Sequence, residues 1–128
     1  TMTGGYVDGF VFPVTKKNVT AYKKMAEWGK KTWMKHGALA YYECQGDDLA
    51  TKSQGGTKPR SFKDLAKAGP QDTVWFSFIV FRDKKHRDSV NKKVMDQMNK
   101  EADKWKDFVM PMDANKMAYG GFKAIVKG

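Results

Sequence analysis

A two-layer α+β fold of the ferredoxin-like type, βαββαβ, with four antiparallel strands and two main helices on one face, is predicted for this chain of 128 residues. Three observations carry that prediction. Extended and helical segments alternate as strand, helix, strand, long loop, strand, helix, strand, which is two split βαβ halves in succession. Residues 73–81, TVWFSFIVF, contain only Thr73 and Ser77 as polar side chains, so alternation puts Trp75, Ile79 and Phe81 on one face and Val74, Phe76, Phe78 and Val80 on the other. Both faces are apolar, as in a central strand covered on each side. Helices on one face alone would leave the second face bare, and two bare sheets pressed together resolve the conflict. The expected assembly is therefore a homodimer with an isologous interface, a dimeric α/β barrel.

The elements follow in order. Residues 6–14, YVDGFVFPV, read as the first strand, with Tyr6, Asp8, Phe10 and Phe12 facing one way, Val7, Gly9 and Val11 the other, and Pro13 ending it. Thr15 is placed to cap a helix that runs to about Lys35 and closes at Gly37. Its lysines recur seven apart, as Lys16-Lys17, Lys23-Lys24 and Lys30-Lys31, which keeps them on one side because a helix drifts only about 20° per heptad. The core side carries Val19, Tyr22, Met25, Ala26, Gly29 and Trp33, with His36 at its end; Met34 falls on the lysine face and Trp28 at its margin, a surface open to a partner.

Residues 38–44, ALAYYEC, form the second strand, with Leu39, Tyr41 and Glu43 opposed to Ala40, Tyr42 and Cys44. A polar loop follows over 45–61, and a short helix over 62–68 pins its far end. Asp83 caps the helix after the central strand, and its buried stripe is Val90, Val94 and Met98. Residues 99–112 keep some helical pattern through Ala102 and Trp105 until Pro111 stops it. The last strand is expected over 117–126, with Gly120-Gly121 marking a bulge or a close backbone approach.

Composition bounds the function. The length suits one domain spanning 1–128, and no apolar run nears the ~18 residues of a membrane span. The start of the chain, TMTGGYVDGF, has no basic segment followed by an apolar one, so it does not read as a secretory signal. A lone Cys44 forms no internal disulfide and two histidines make no zinc spacing, so no metal or cofactor is expected and a reducing cytoplasm is the expected compartment. The net charge is +10, yet among 24 basic residues only Arg60, Arg82 and Arg87 are arginines. Lysine gives phosphate attraction without base choice, so the expectation is at most weak, salt-dependent binding to polyanions such as RNA.

The candidate site residues cluster at the start of the second helix, where His86, Arg87 and Asn91 flank the apolar stripe. They would serve as acid or base, anion clamp and hydrogen-bond partner, with Asp8 or His36 as a second polar group. The competing explanation is that all five satisfy strand ends and helix ends structurally. Cys44 lacks a base beside it in sequence and is the weaker nucleophile. Asp47-Asp48 point apart, and Gly55-Gly56 lacks the strand and helix of a phosphate loop.

The segments YVDGFVFPV, HGALAYYEC followed by GDD, VWFSFIVF, HRDSVNKKVM, and MPMD with YGGF together resemble the YbaA-like family of small bacterial proteins of unknown function. The resemblance spans most of the chain in order. It implies the dimeric α/β barrel fold and, by analogy with related barrels, a small-molecule pocket between helices and sheet in an enzyme that needs no cofactor. It transfers no catalytic residues. The lysine-rich helix face and segment 96–110, with an extra charged turn, depart from the family pattern. Two other functions stay open: a non-enzymatic binding module that uses the lysine face against an anionic partner, and a structural dimer without ligand.

Overall fold

The computed structural model describes residues 4–128. Four strands, β1 (Tyr6–Thr15), β2 (Ala40–Gln45), β3 (Asp72–Phe81) and β4 (Ala118–Lys123), form one antiparallel sheet in the order β2-β3-β1-β4. Two long helices, α1 (Val19–Lys35) and α3 (Lys84–Lys100), cover one of its faces, joined by the short helices α2 (Phe62–Leu65) and α4 (Ala102–Trp105). This is the ferredoxin-like split βαβ arrangement.

β3 is central, as its apolar run requires, and it pairs with β1 over ten residues from Tyr6↔Phe81 to Thr15↔Asp72. The ladder runs past Pro13, where the sequence predicts the strand's end, to Thr15. β4 stops opposite Val11, so β1 has a free edge at Pro13 where a missing N–H costs nothing. Because Thr15 is still in the ladder, it caps no helix; its Oγ1 donates to Asp72 Oδ1 at 3.2 Å. A 3₁₀ turn over Lys16–Asn18 intervenes, and α1 begins at Val19. Lys16 and Lys17 therefore leave the helical lysine face, which keeps Lys23, Lys24, Lys30 and Lys31, all exposed.

The far end of α1 closes as the glycine signal predicts. Gly37 has φ of +113°, and Gly37 N donates to Met34 O while Ala38 N donates to Trp33 O at 3.0 Å, a Schellman closure. At the start of α3, the Asp83 carboxylate accepts from His86 N at 2.8 Å, the expected cap. β2 begins two residues later than its sequence pattern suggested, and β4 ends at Lys123, leaving Ile125 and Val126 exposed beyond it. Gly120 and Gly121 keep regular register opposite Gly9 and Asp8, so there is no bulge. The reason for Gly121 is the other alternative, close approach: a Cβ there would run into the Tyr6 ring.

Two buried clusters fill the space between helices and sheet. Phe12, Val14, Tyr22, Ala26, Trp75 and Met112 form one, and Ala38, Ile79, Phe81, Val90 and Val94 the other. Neither long helix covers the second face of the sheet. Its rows read Ala40, Val80, Val7, Phe122 and then Cys44, Phe76, Val11, Ala118, with Tyr42 stacked on Phe78 between them at 4.9 Å. Tyr42, Phe76 and Phe122 are 55%, 47% and 64% exposed, a contiguous apolar patch of a kind that single domains rarely leave in water.

Ile79 and Phe78 are neighbours on β3 that point to opposite faces, so the same charge introduced at each should have different results. Ile79→Lys places an amine in the core and should unfold the protein. Phe78→Lys should keep the native far-ultraviolet circular dichroism spectrum; equal loss of structure in both would contradict this assignment of faces.

Candidate functional site

The site is built on the helix-covered face, where the β2–β3 register places Glu43 directly beside Ser77. Ser77 interrupts the run of Trp75, Ile79 and Phe81 on this face, and Glu43 sits between two tyrosines. Tyr22 on α1 donates its hydroxyl to Glu43 Oε1 at 2.7 Å, and Tyr41 on β2 donates to Oε2 at 2.7 Å. Tyr22 is itself held by ring contacts with Phe12 at 5.2 Å and Trp75 at 5.0 Å. Gly29 makes room for this arrangement, since a Cβ at that helix position would lie 2.5 Å from the Tyr41 hydroxyl.

Above Glu43 a cavity of about 390 Å³ opens between the helices and the sheet. Its walls are Phe10, Phe12, Tyr22, Trp28, Trp33, Tyr41, Trp105 and Phe108, with Met25, Met98, Met110 and Met117 filling the gaps. Size and lining match a small-molecule site, largely apolar with few polar groups. Phe108 and Met110 are half-exposed and make its rim. Trp105 packs edge-on against Trp28 at 4.7 Å and against Phe108 at 5.2 Å, and its buried indole N–H has no hydrogen-bond partner among the described residues.

Burial sets the electrostatics. It pushes the Glu43 carboxyl above the usual carboxylate range, against the opposing hydrogen bonds from Tyr41, Tyr22 and Ser77. Burial also raises the Tyr22 and Tyr41 hydroxyls, and the adjacent Glu43 charge raises them further, so both remain donors at neutral pH. Glu43 is thus an acid whose proton equilibrium has moved toward neutrality, held in fixed orientation inside an aromatic cavity.

The residues singled out from the sequence lie nearby but line a different place. Asp8, Arg87 and Asn91 do come together. Arg87 Nη1 donates to Asp8 Oδ1 at 2.9 Å, Nη2 to the Tyr6 hydroxyl at 3.3 Å, and the guanidinium lies 5.0 Å from the Tyr6 ring centre. Its Nε is 2.9 Å from Asp88 Oδ1, an ion-pair contact without hydrogen-bond alignment. Burial pushes the Asp8 carboxyl up, with Arg87 and a hydrogen bond from Asn91 opposing. Asn91 Oδ1 accepts from Trp33 Nε1 at 3.0 Å, which ties this network to the cavity wall. His86 faces elsewhere: its Nδ1 accepts from Arg82 N at 3.0 Å and its ring stands edge-on to Phe81. His36 pairs with Gln97 Oε1 at 2.7 Å. Cys44 is exposed on the uncovered sheet face, away from the cavity.

A broad groove beside the 46–61 loop is lined by Asp47, Asp48, Lys58, Arg60 and Asp64. Its mixed, solvated charges do not converge on a point. Among the described residues no three histidine, cysteine, aspartate or glutamate side chains gather as a metal site. Among the described residues no helix is long and apolar enough to cross a membrane.

Fold and cavity define the class: a ferredoxin-like α+β protein with an aromatic, carboxylate-floored cavity between its layers. Residues 5–114 match the family described as Protein of unknown function (DUF1428), and the chain belongs to that family. Its relatives include the uncharacterized protein YbaA of Escherichia coli (strain K12) and those of Escherichia coli O157:H7 and Shigella flexneri. Each is 34% identical over 123 residues, which cover 94% of this chain and 97% of the relative.

Because the folded protein holds the Glu43 proton more tightly than the unfolded chain does, the group's stabilising contribution is complete at low pH and is lost as pH rises through the raised value. Glu43→Gln should therefore gain stability relative to the parent in urea denaturation as pH rises above the ordinary carboxylate range. A relative loss as pH rises would mean that the hydrogen bonds outweigh burial.

Proposed function

We propose that this protein is a homodimer whose subunits each bind a small molecule in the cavity between helices and sheet, with Glu43 as the polar anchor. The observation that carries this reading is the cavity itself: about 390 Å³ of space walled by aromatic rings and methionines over one oriented carboxyl group. A protein with no ligand to hold would be expected to close such a volume, because unfilled apolar space forfeits dispersion contacts. Methionine suits a wall that adapts to its occupant.

Glu43 is also the group placed to exchange a proton with a bound ligand, which is the route to chemistry without a cofactor. In this reading Asp8, Arg87 and Asn91 are positioning residues that fix α3 to β1 and hold Trp33 in the wall. His86 and His36 secure the ends of β3 and α1. The uncovered sheet face supports the homodimer, since a second copy presents the same apolar rows about a two-fold axis. Cys44, a free thiol, fits a reducing cytoplasm.

Toluene tests the cavity directly, being small, neutral and aromatic. Titrated into the protein, it is expected to shift the methyl resonances of Met25 and Met98 saturably while leaving the exposed Met95 methyl in place. Uniform or non-saturating shifts would contradict the proposal.

A further inference from the structure

The cavity holds one carboxyl group and no basic side chain to match it. Among the described residues that line it, Glu43 alone carries a charged side chain, although the chain has 24 lysines and arginines. Close to that carboxyl stand the hydroxyls of Tyr22 and Tyr41, and the rings of Trp28, Trp33 and Trp105 complete the walls. An aromatic face is electronegative, so rings and carboxylate favour the same ligand charge.

We propose that the cavity selects an organic ammonium compound, its cationic head near Glu43 and the indole rings and its apolar part against the methionines. This rests on the reading that the cavity binds a small molecule, and it adds the charge of that molecule. An anion would meet Glu43 with no basic side chain to offset the repulsion. A neutral occupant would strip water from Glu43 and leave it with hydroxyl donors alone. A cation supplies the missing Coulombic partner, and burial, which already disfavours the ionised carboxyl, makes that partner more effective. The hydrogen bonds leave capacity for it: a carboxylate has about four lone-pair sites, and the hydroxyls of Tyr22, Tyr41 and Ser77 leave one of them open. A quaternary ammonium, which donates no hydrogen bond, is accommodated by the same walls because cation–π attraction needs only close approach to the ring face.

The test compares benzyltrimethylammonium with neopentylbenzene, which have the same shape and differ in charge, by quenching of tryptophan fluorescence in the intact protein. The cation is expected to bind roughly tenfold more tightly than the neutral isostere, and Glu43→Gln should remove most of that preference, read as the ratio of the two affinities. Equal affinities in the parent would overturn the charge selection and leave the cavity as an apolar site. Binding of neither probe would overturn the underlying cavity reading as well. A preference that survives Glu43→Gln would overturn the role given to Glu43. If that variant does not fold, the parent decides: the preference must grow as pH rises and Glu43 ionises, above the ordinary carboxylate range because burial raises it, and a profile that stays flat over the whole pH range in which the protein is folded overturns the proposal.

Discussion

The antiparallel ladder between β1 and β3 holds ten residue pairs, and its register determines what each layer of the protein can contain. With side chains alternating at a period of two, this register sends Trp75, Ser77, Ile79 and Phe81 under the helices together with Phe10 and Phe12. It sends Phe76, Phe78 and Val80 to the opposite face with Val7 and Val11. A slip by one residue would exchange the two sets, place Asp8 among Phe78 and Tyr42, and strand Arg87 without its carboxylate. The ion pair between Arg87 and Asp8 spans 79 positions of sequence, and with Asp8 only 5% exposed the loss of Arg87 leaves a buried carboxylate uncompensated. The pair therefore discriminates the correct register from its neighbours.

The same ladder explains how a cavity persists between two packed layers. Large rings at Phe10, Phe12, Trp28 and Trp33 keep the helices off the sheet, and the small residues Ala26 and Gly29 on α1 leave room beneath the helix. Replacing those spacers with residues that fill the gap would give a drier and more ordinary core. Gly29 matters most here, because it admits the Tyr41 hydroxyl and so allows two tyrosines to orient one acid. Helix propensity alone would favour Ala at that position by about 1 kcal/mol, which the geometry forbids.

Strand and helix types were readable because each signal was local. TVWFSFIVF declares a central strand by its apolar run, Asp83 marks the start of α3, and Gly37 marks the end of α1. The boundary at Pro13 was not local: whether a proline ends a strand depends on how far the neighbouring strand extends, and β4 happens to stop at Val11. The polar candidates show the same division. Helical spacing brought Arg87 and Asn91 to the core side, where they meet Asp8, but it could not say that His86 turns back to Arg82 N. Glu43 was missed because ALAYYEC offers no hint that its acid is oriented by Tyr22, 21 residues earlier. One signal was present in the sequence. Ser77 and Glu43 are polar residues within the otherwise apolar or aromatic stretches of the inward faces of adjacent strands, and aligning β2 against β3 places them side by side.

In the proposed homodimer β3 is covered on both sides, by helices on one and by a second copy on the other. Sedimentation equilibrium at micromolar concentration tests it most directly, because the uncovered rows through Tyr42, Phe76, Phe78 and Phe122 exist in each molecule whether or not a ligand is bound. The parent should sediment at about twice 14.5 kDa, and Phe78→Lys, which puts a charge at the centre of those rows, should sediment at the monomer mass. A parent protein that remains monomeric, or a Phe78→Lys variant that stays dimeric, would contradict the account.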